Sequence, residues 1–222
     1  MAPAAPREVQ LTEQEKELFT VLKAVVAHSS PTTVLRCAGG WVRDKLLGKD
    51  SHDIDIALSD KKGAEFAEDI NAYLASQAQT ALKVAVILSN PDQSKHLETA
   101  RMKLAGLEID LVNLRSESYA DSRIPTMEVG TPKEDALRRD FTINSLFYRI
   151  DSGEVEDFTE RGLADLAAQV IRTPLPAAET FTDDPLRVLR AVRFGARFGF
   201  SLDAGIEEAA SSARILAHPS PL

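Results

Sequence analysis

Apolar residues recur along this chain with two different periods, and the switches between them divide it into elements. A helical period runs from a capping box, Thr12 with Glu15, to about His28. Residues 29–33 read as a turn and 34–38 as a short buried strand, after which Gly39-Gly40 leads into a helix over 41–47 that stops at Gly48. A second strand is expected over 53–58. Asp53 and Asp55 fall two positions apart in it, so the alternation of a strand turns both carboxylates to one face. Residues 61–77 read as a helix, 82–88 as a strand, Asn90-Pro91 as a turn, and 96–104 with 107–114 as the arms of a hairpin about Gly106. In the second arm Glu108, Asp110 and Val112 share a face, which brings Asp110 to the surface of Asp53 and Asp55 if the two strands are neighbours.

The pattern then fades. Residues 115–131 are polar, lack a period and contain Pro125, so a long flexible loop is expected, of a length that is often functional. A helix follows over 132–139, then a segment that turns from polar to apolar over 140–150, a turn at 151–153, a short strand over 154–158 and a small helix over 162–169. Residues 170–172 close a first domain, and the proline-containing 174–176 reads as a linker. Thr182 is expected to cap a helix that opens on Asp183-Asp184-Pro185 and runs to about Phe198, with a last helix from Asp203.

The chain has 222 residues, 44% of them apolar, enough for one large domain or a domain and a half. No apolar run reaches bilayer length, and residues 1–10 lack the basic and apolar regions of a secretory leader, so neither a membrane partner nor export is expected. Cys37 is alone, which excludes an intrachain disulfide and a multi-cysteine zinc site and fits a reducing compartment. The net charge of -8 argues against a dedicated nucleic-acid surface. It does not argue against a nucleotide site, because acids that hold a divalent metal add to it.

Four constellations carry candidate chemistry. Asp53 and Asp55 suit divalent metal bound together with triphosphate; alone, the same spacing also fits a solvated strand edge or an ion pair. Gly39-Gly40, between strand and helix, lets backbone N–H groups approach phosphate, or forms an ordinary tight turn, and Arg43 and Asp44 either pair or brace it. Arg138 and Arg139 favour phosphate, while Asp140 and Asn144 offer an acceptor and an amide to ribose hydroxyls; surface arginines beside a helix cap are the plainer reading. Asp184 and Arg187 are three apart, as in a simple helical salt bridge, with Arg190 continuing the face. Cytosine and adenine both carry an exocyclic amine beside a bare ring nitrogen, whereas guanine and uracil present the reverse. A carboxylate beside a guanidinium therefore accepts the first two and leaves charges unpaired against the others.

In this order, Gly39-Gly40-x-x-Arg43-Asp44, Asp53-x-Asp55, Arg138-Arg139-Asp140-Phe-Thr-Ile-Asn144, a segment from Asp157 to Leu166 and Asp183-Asp184-Pro-Leu-Arg187-x-x-Arg190 resemble the class II tRNA nucleotidyltransferases. These are the CCA-adding enzymes of the DNA polymerase beta superfamily, and the wording is most similar to members from fungi, algae or plants. The resemblance implies an α+β fold: a mixed β-sheet head flanked by helices over 1–173, and the start of an all-helical neck over 174–222. It implies that Asp53 and Asp55 hold catalytic Mg²⁺ in a two-metal site with Asp110 as a third acid, that the glycines contact triphosphate, and that Arg139, Asp140 and Asn144 select a ribonucleotide. Asp184 and Arg187, with Asp183 beside them, act as a protein template for CTP and ATP, residues 115–131 serve the switch to the final A, and residues 157–166 form a hinge-like element.

Family members continue through a helical body and tail that grip tRNA, so this chain is expected to keep the catalytic head and to bind the tRNA 3′ end weakly. An intracellular site in cytoplasm, nucleus or mitochondrion follows. A poly(A) polymerase or a partial CC- or A-adding relative, and a nucleotide-binding module without turnover, are the alternatives.

Overall fold

The computed structural model describes residues 8–51, 53–87, 99–118 and 126–212. Helix α1 (Glu13–Ser29) starts at the expected capping box, Thr12 Oγ accepting from Glu15 N and Glu15 Oε2 accepting from Thr12 N. Then come β1 (Leu35–Ala38), α2 (Gly40–Leu46), β2 (Ile54–Leu58), α3 (Gly63–Ser76), β3 (Val84–Ile87), β4 (Thr99–Leu104) and β5 (Leu107–Asn113). Ala105 and Gly106, with φ of 49° and 79°, form the two-residue turn between β4 and β5, both in the left-handed region that a tight hairpin demands. The turn expected at Asn90-Pro91 lies outside the described residues.

Strands β6 (Arg115–Ser118) and β7 (Thr126–Val129) precede α4 (Pro132–Leu137), a single 3₁₀ turn over Thr142–Asn144, β8 (Phe147–Arg149) and β9 (Val155–Glu156). The chain continues through α5 (Gly162–Ala168), β10 (Val170–Ile171), α6 (Ala177–Asp183), α7 (Leu186–Phe198), β11 (Ser201–Leu202) and α8 (Ala204–Ala210).

Seven strands form a mixed sheet in the order β3-β4-β5-β2-β1-β8-β9, in which only β2 and β5 run parallel. Alternation divides its faces. Leu35, Cys37, Ile54, Ile56, Leu58, Ile109 and Leu111 belong to one large buried cluster with Leu18, Leu22, Phe66 and Ile70 from α1 and α3. Burial pushes the Cys37 thiol up, so it behaves as a small core residue and not as a nucleophile. The opposite face carries a smaller cluster, Ala38, Ala57, Leu114, Ala136 and Phe147. Asp55 and Asp110 stand on that same face, directly opposite each other in the β2–β5 register. The neighbourhood of strands on which Asp110 depended is therefore present.

Two sequence expectations are corrected. The stretch 115–131 is not a loop throughout: β6 and β7 pair antiparallel, Arg115 opposite Val129, and Arg115 N donates to the Asp135 carboxylate. Strand pairing and a buried acid supply the order that the polar sequence hides. Secondly, no helix begins at Asp183. Asp183 ends α6, and Thr182 Oγ donates to Ala178 O within that helix. Asp184 is extended, with φ -143° and ψ 97°, as a residue before proline tends to be, and α7 starts only at Leu186.

Candidate active site

Gly39 turns the chain from β1 into α2 with φ 69°, and a Cβ there would lie 2.6 Å from Arg139 Nη1. The positive φ favours glycine, and a side chain would in addition push the Arg139 guanidinium aside. Its N–H is committed to Leu146 O at 2.9 Å, so it is not a phosphate donor. Gly40 has an ordinary φ, and a Cβ there would make only an ordinary contact with Arg43 Nη2 at 3.6 Å.

Arg43, one turn on, does both things considered for it. Its Nε donates to Asp44 at 2.8 Å, and its Nη1 donates to Asn144 Oδ1. Its guanidinium also lies 4.7 Å from the centre of the Phe198 ring and 5.3 Å from that of Phe194. Asn144 Nδ2 in turn donates to Asp140 Oδ1 at 3.0 Å, an oxygen that also accepts from Phe141 N. The other oxygen, Oδ2, accepts from Arg190 Nε and Nη2 at 2.8 and 2.5 Å. One hydrogen-bonded chain thus runs from the glycine helix, through the 3₁₀ turn, to α7.

Arg138 and Arg139 do not present free guanidinium groups. Both clasp Asp135, at 2.6 and 2.7 Å, and Arg138 also meets Glu117 at 2.7 Å. Burial alone would raise the Asp135 carboxyl, but the charges of Arg139 and Arg138 outweigh it and hold the group below its ordinary value. Arg187 Nη2 donates to Arg138 O at 2.9 Å and lies 3.7 Å from Glu117, while its Nε stands 3.9 Å from Asp184 Oδ2. Asp184 Oδ1 accepts from Leu186 N and so fixes the entry to α7. Burial raises the Asp183 carboxyl, against the lowering charge of Arg187.

These contacts enclose a cleft of about 440 Å³ lined by Gly40, Arg43, Arg138, Arg139, Asp140, Asn144, Asp184, Arg187, Arg190, Phe194 and Arg197. Six of these are arginines, and five of them, Arg43, Arg138, Arg139, Arg187 and Arg190, are ion-paired with Asp44, Asp135, Glu117, Asp184 and Asp140, so the guanidinium groups are fixed in orientation by their acids. Asp53, Asp55 and Asp110 do not line this cleft; the Asp55 carboxyl is raised by burial and by Asp53, and lowered by the charge of Arg139, which does line it. Asp53 is exposed and sits one residue ahead of β2, not inside it.

Sequence reasoning missed Glu117, Asp135, Phe194, Phe198 and Arg197. Only Asp135 left a readable trace, three and four residues before the arginines it binds. In the segment 157–166, Asp157 and Asp165 bind locally and to the 3₁₀ turn: Asp157 accepts from Leu163 N, and Asp165 from Thr142 Oγ and Arg172.

Residues 35–172 match the family described as the poly A polymerase head domain. The chain is 53% identical over 210 residues to the mitochondrial CCA tRNA nucleotidyltransferase of Candida glabrata, a match covering 89% of this chain and 39% of that protein. Among solved structures, a CCA-adding enzyme in its apo form II aligns with TM-score 0.76 and 31% identity, over 93% of this chain and 47% of that one. A CCA-adding enzyme in complex with ATP aligns with TM-score 0.69 and 30% identity, over 93% and 44%. The chain therefore spans about two fifths of the length of the curated relatives it matches.

Proposed function

Because this chain belongs to the family of the poly A polymerase head domain, with CCA tRNA nucleotidyltransferases among its relatives, we propose that the whole protein adds CCA to the 3′ end of tRNA. It transfers CMP and AMP from CTP and ATP without a nucleic-acid template and releases pyrophosphate. The observation that carries this reading is the continuous chain Arg43–Asn144–Asp140–Arg190, which draws the triphosphate, sugar and base constellations to one cleft. We place the catalytic head over 1–173 and the start of a helical neck over 174–222, in an intracellular protein; the Candida glabrata relative is described as mitochondrial. No helix among the described residues is long and apolar enough to cross a membrane.

Roles follow from position. Arg43 and the first turn of α2 take the triphosphate, and Asn144 and Asp140 read the ribose. Asp184 and Arg187 offer their acceptor and donor to the edge shared by cytosine and adenine. Asp53 and Asp55 would hold Mg²⁺. Among the described residues no three acid, histidine or cysteine side chains are placed to hold a metal alone, and two carboxylates completed by substrate phosphates are the donor set magnesium commonly takes. When bound, the ions supply a lowered pKa for the attacking hydroxyl and neutralise the leaving pyrophosphate.

Single-turnover extension of a tRNA lacking its terminus tests the proposal. Incorporation of C from CTP alone, lost in Asp53→Ala, is expected. The family description favours one further reading, poly(A) synthesis. That reading predicts use of ATP with indifference to CTP, and a binding module would incorporate nothing.

A further inference from the structure

The third carboxylate beside the proposed metal pair is already occupied. Asp110 of β5 stands between two register partners, Asp55 of β2 on one side and Arg101 of β4 on the other, so the three residues form a row across adjoining strands on the open face of the sheet. Arg101 grips both oxygens of Asp110, Nε to Oδ1 and Nη2 to Oδ2, each at 2.6 Å. This fork takes up the lone pairs a cation would use.

The two partners differ in freedom. The Asp110 side chain is 15% exposed and fixed within the sheet, whereas that of Arg101 is 50% exposed on a long stem. Asp53 and Glu108 add their charges to that of Asp110 in favouring the charged form of Arg101. An arginine in this position satisfies Asp110 while the site is empty and can rotate outward without disturbing the core.

We propose that Arg101 is a positioning residue that acts as an exchangeable counter-ion: it holds Asp110 in the metal-free protein, and a divalent cation entering beside Asp53 and Asp55 must displace it to recruit Asp110. Arg101 thereby weakens metal binding in the absence of nucleotide and keeps the carboxylates from trapping cations unproductively. The inference rests on the proposed metal role of Asp53 and Asp55.

Titration with Mn²⁺, followed by loss of the free-ion electron paramagnetic resonance signal, tests it on the full chain without nucleotide. Arg101→Met keeps the apolar stem and removes the fork, and is expected to tighten Mn²⁺ binding by about threefold to tenfold, the range left to a half-exposed pair after solvent screening. The gain should vanish in an Asp110→Asn background. Lys103→Met, which removes a charge two residues away on the same strand, should give a smaller change. No change in Arg101→Met, or a gain matched by Lys103→Met and persisting with Asp110→Asn, would overturn the exchange. If Asp53→Ala and Asp55→Asn abolish Mn²⁺ binding while Arg101→Met does nothing, only this inference fails. If they too leave binding intact, the metal reading itself fails.

Discussion

Asp55 shows how burial and neighbouring charge set the proton affinity of one side chain. Its carboxyl is pushed up, first by burial and then by Asp53, while Arg139 pulls the other way. A carboxylate raised in the fold binds its proton more tightly there than in the unfolded chain. Without metal, stability therefore falls as pH rises from the ordinary carboxylate value through the raised one, and stays reduced above it. Asp55→Asn removes that cost. In chelator, the variant is expected to melt above the parent at neutral pH, with the difference closing below about pH 4. A variant that melts lower at pH 7 would show that the site does not penalise the charge. Gly39 makes the converse point, a residue required for what it lacks. With φ 69° and Arg139 Nη1 at 2.6 Å from a would-be Cβ, Gly39→Ala should cost about 2 kcal/mol in denaturant unfolding. Gly40→Ala, free of both constraints, should leave stability nearly unchanged.

At the level of elements, α7 does most to complete the site. Asp184 and Leu186 set its start, Arg187 reaches back to Arg138 O, Arg190 holds Asp140, and Phe194 with Phe198 backs Arg43. Arg190→Met should cost at most about 1 kcal/mol of stability, since the Arg190 side chain is 44% exposed. By releasing Asp140 from its fixed orientation it should also reduce the preference for CTP over dCTP by about tenfold, measured as a ratio of kcat/KM. Unchanged sugar preference would detach α7 from ribose selection. Much of this was legible in the sequence. The strands of the sheet other than β8, the capping box and the hairpin follow from period and turn chemistry, and that Asp140, Asn144, Asp184 and Arg187 line one cleft is what the family resemblance implied. The start of α7 was misplaced because acids before a proline look like a first turn, whereas the residue before proline favours an extended backbone. The ribbon of β6 and β7 was hidden because its order comes from pairing and from Asp135, both long-range. Strands of two residues, such as β10 and β11, show no period at all.

Across the whole molecule, the sheet separates two tasks. One face is packed by α1 and α3 around large apolar side chains, and the other keeps small residues, Ala38 and Ala57, beside Asp55 and Asp110. Rigid backing on one side allows charged groups to stand in fixed register on the other. The acidic balance of the chain hides a cleft walled by six arginines, which net charge alone does not reveal. Several of those arginines are braced by Asp135, Glu117 and Asp140, partners that no linear reading places together. The central claim is that this cleft chooses its nucleotide through protein side chains. Equilibrium binding of CTP, ATP, GTP and UTP to the chain tests it most directly. CTP and ATP are expected to bind about tenfold or more tighter than GTP and UTP, with the difference erased in Arg187→Ala; equal affinity for all four, or discrimination that survives Arg187→Ala, would contradict it.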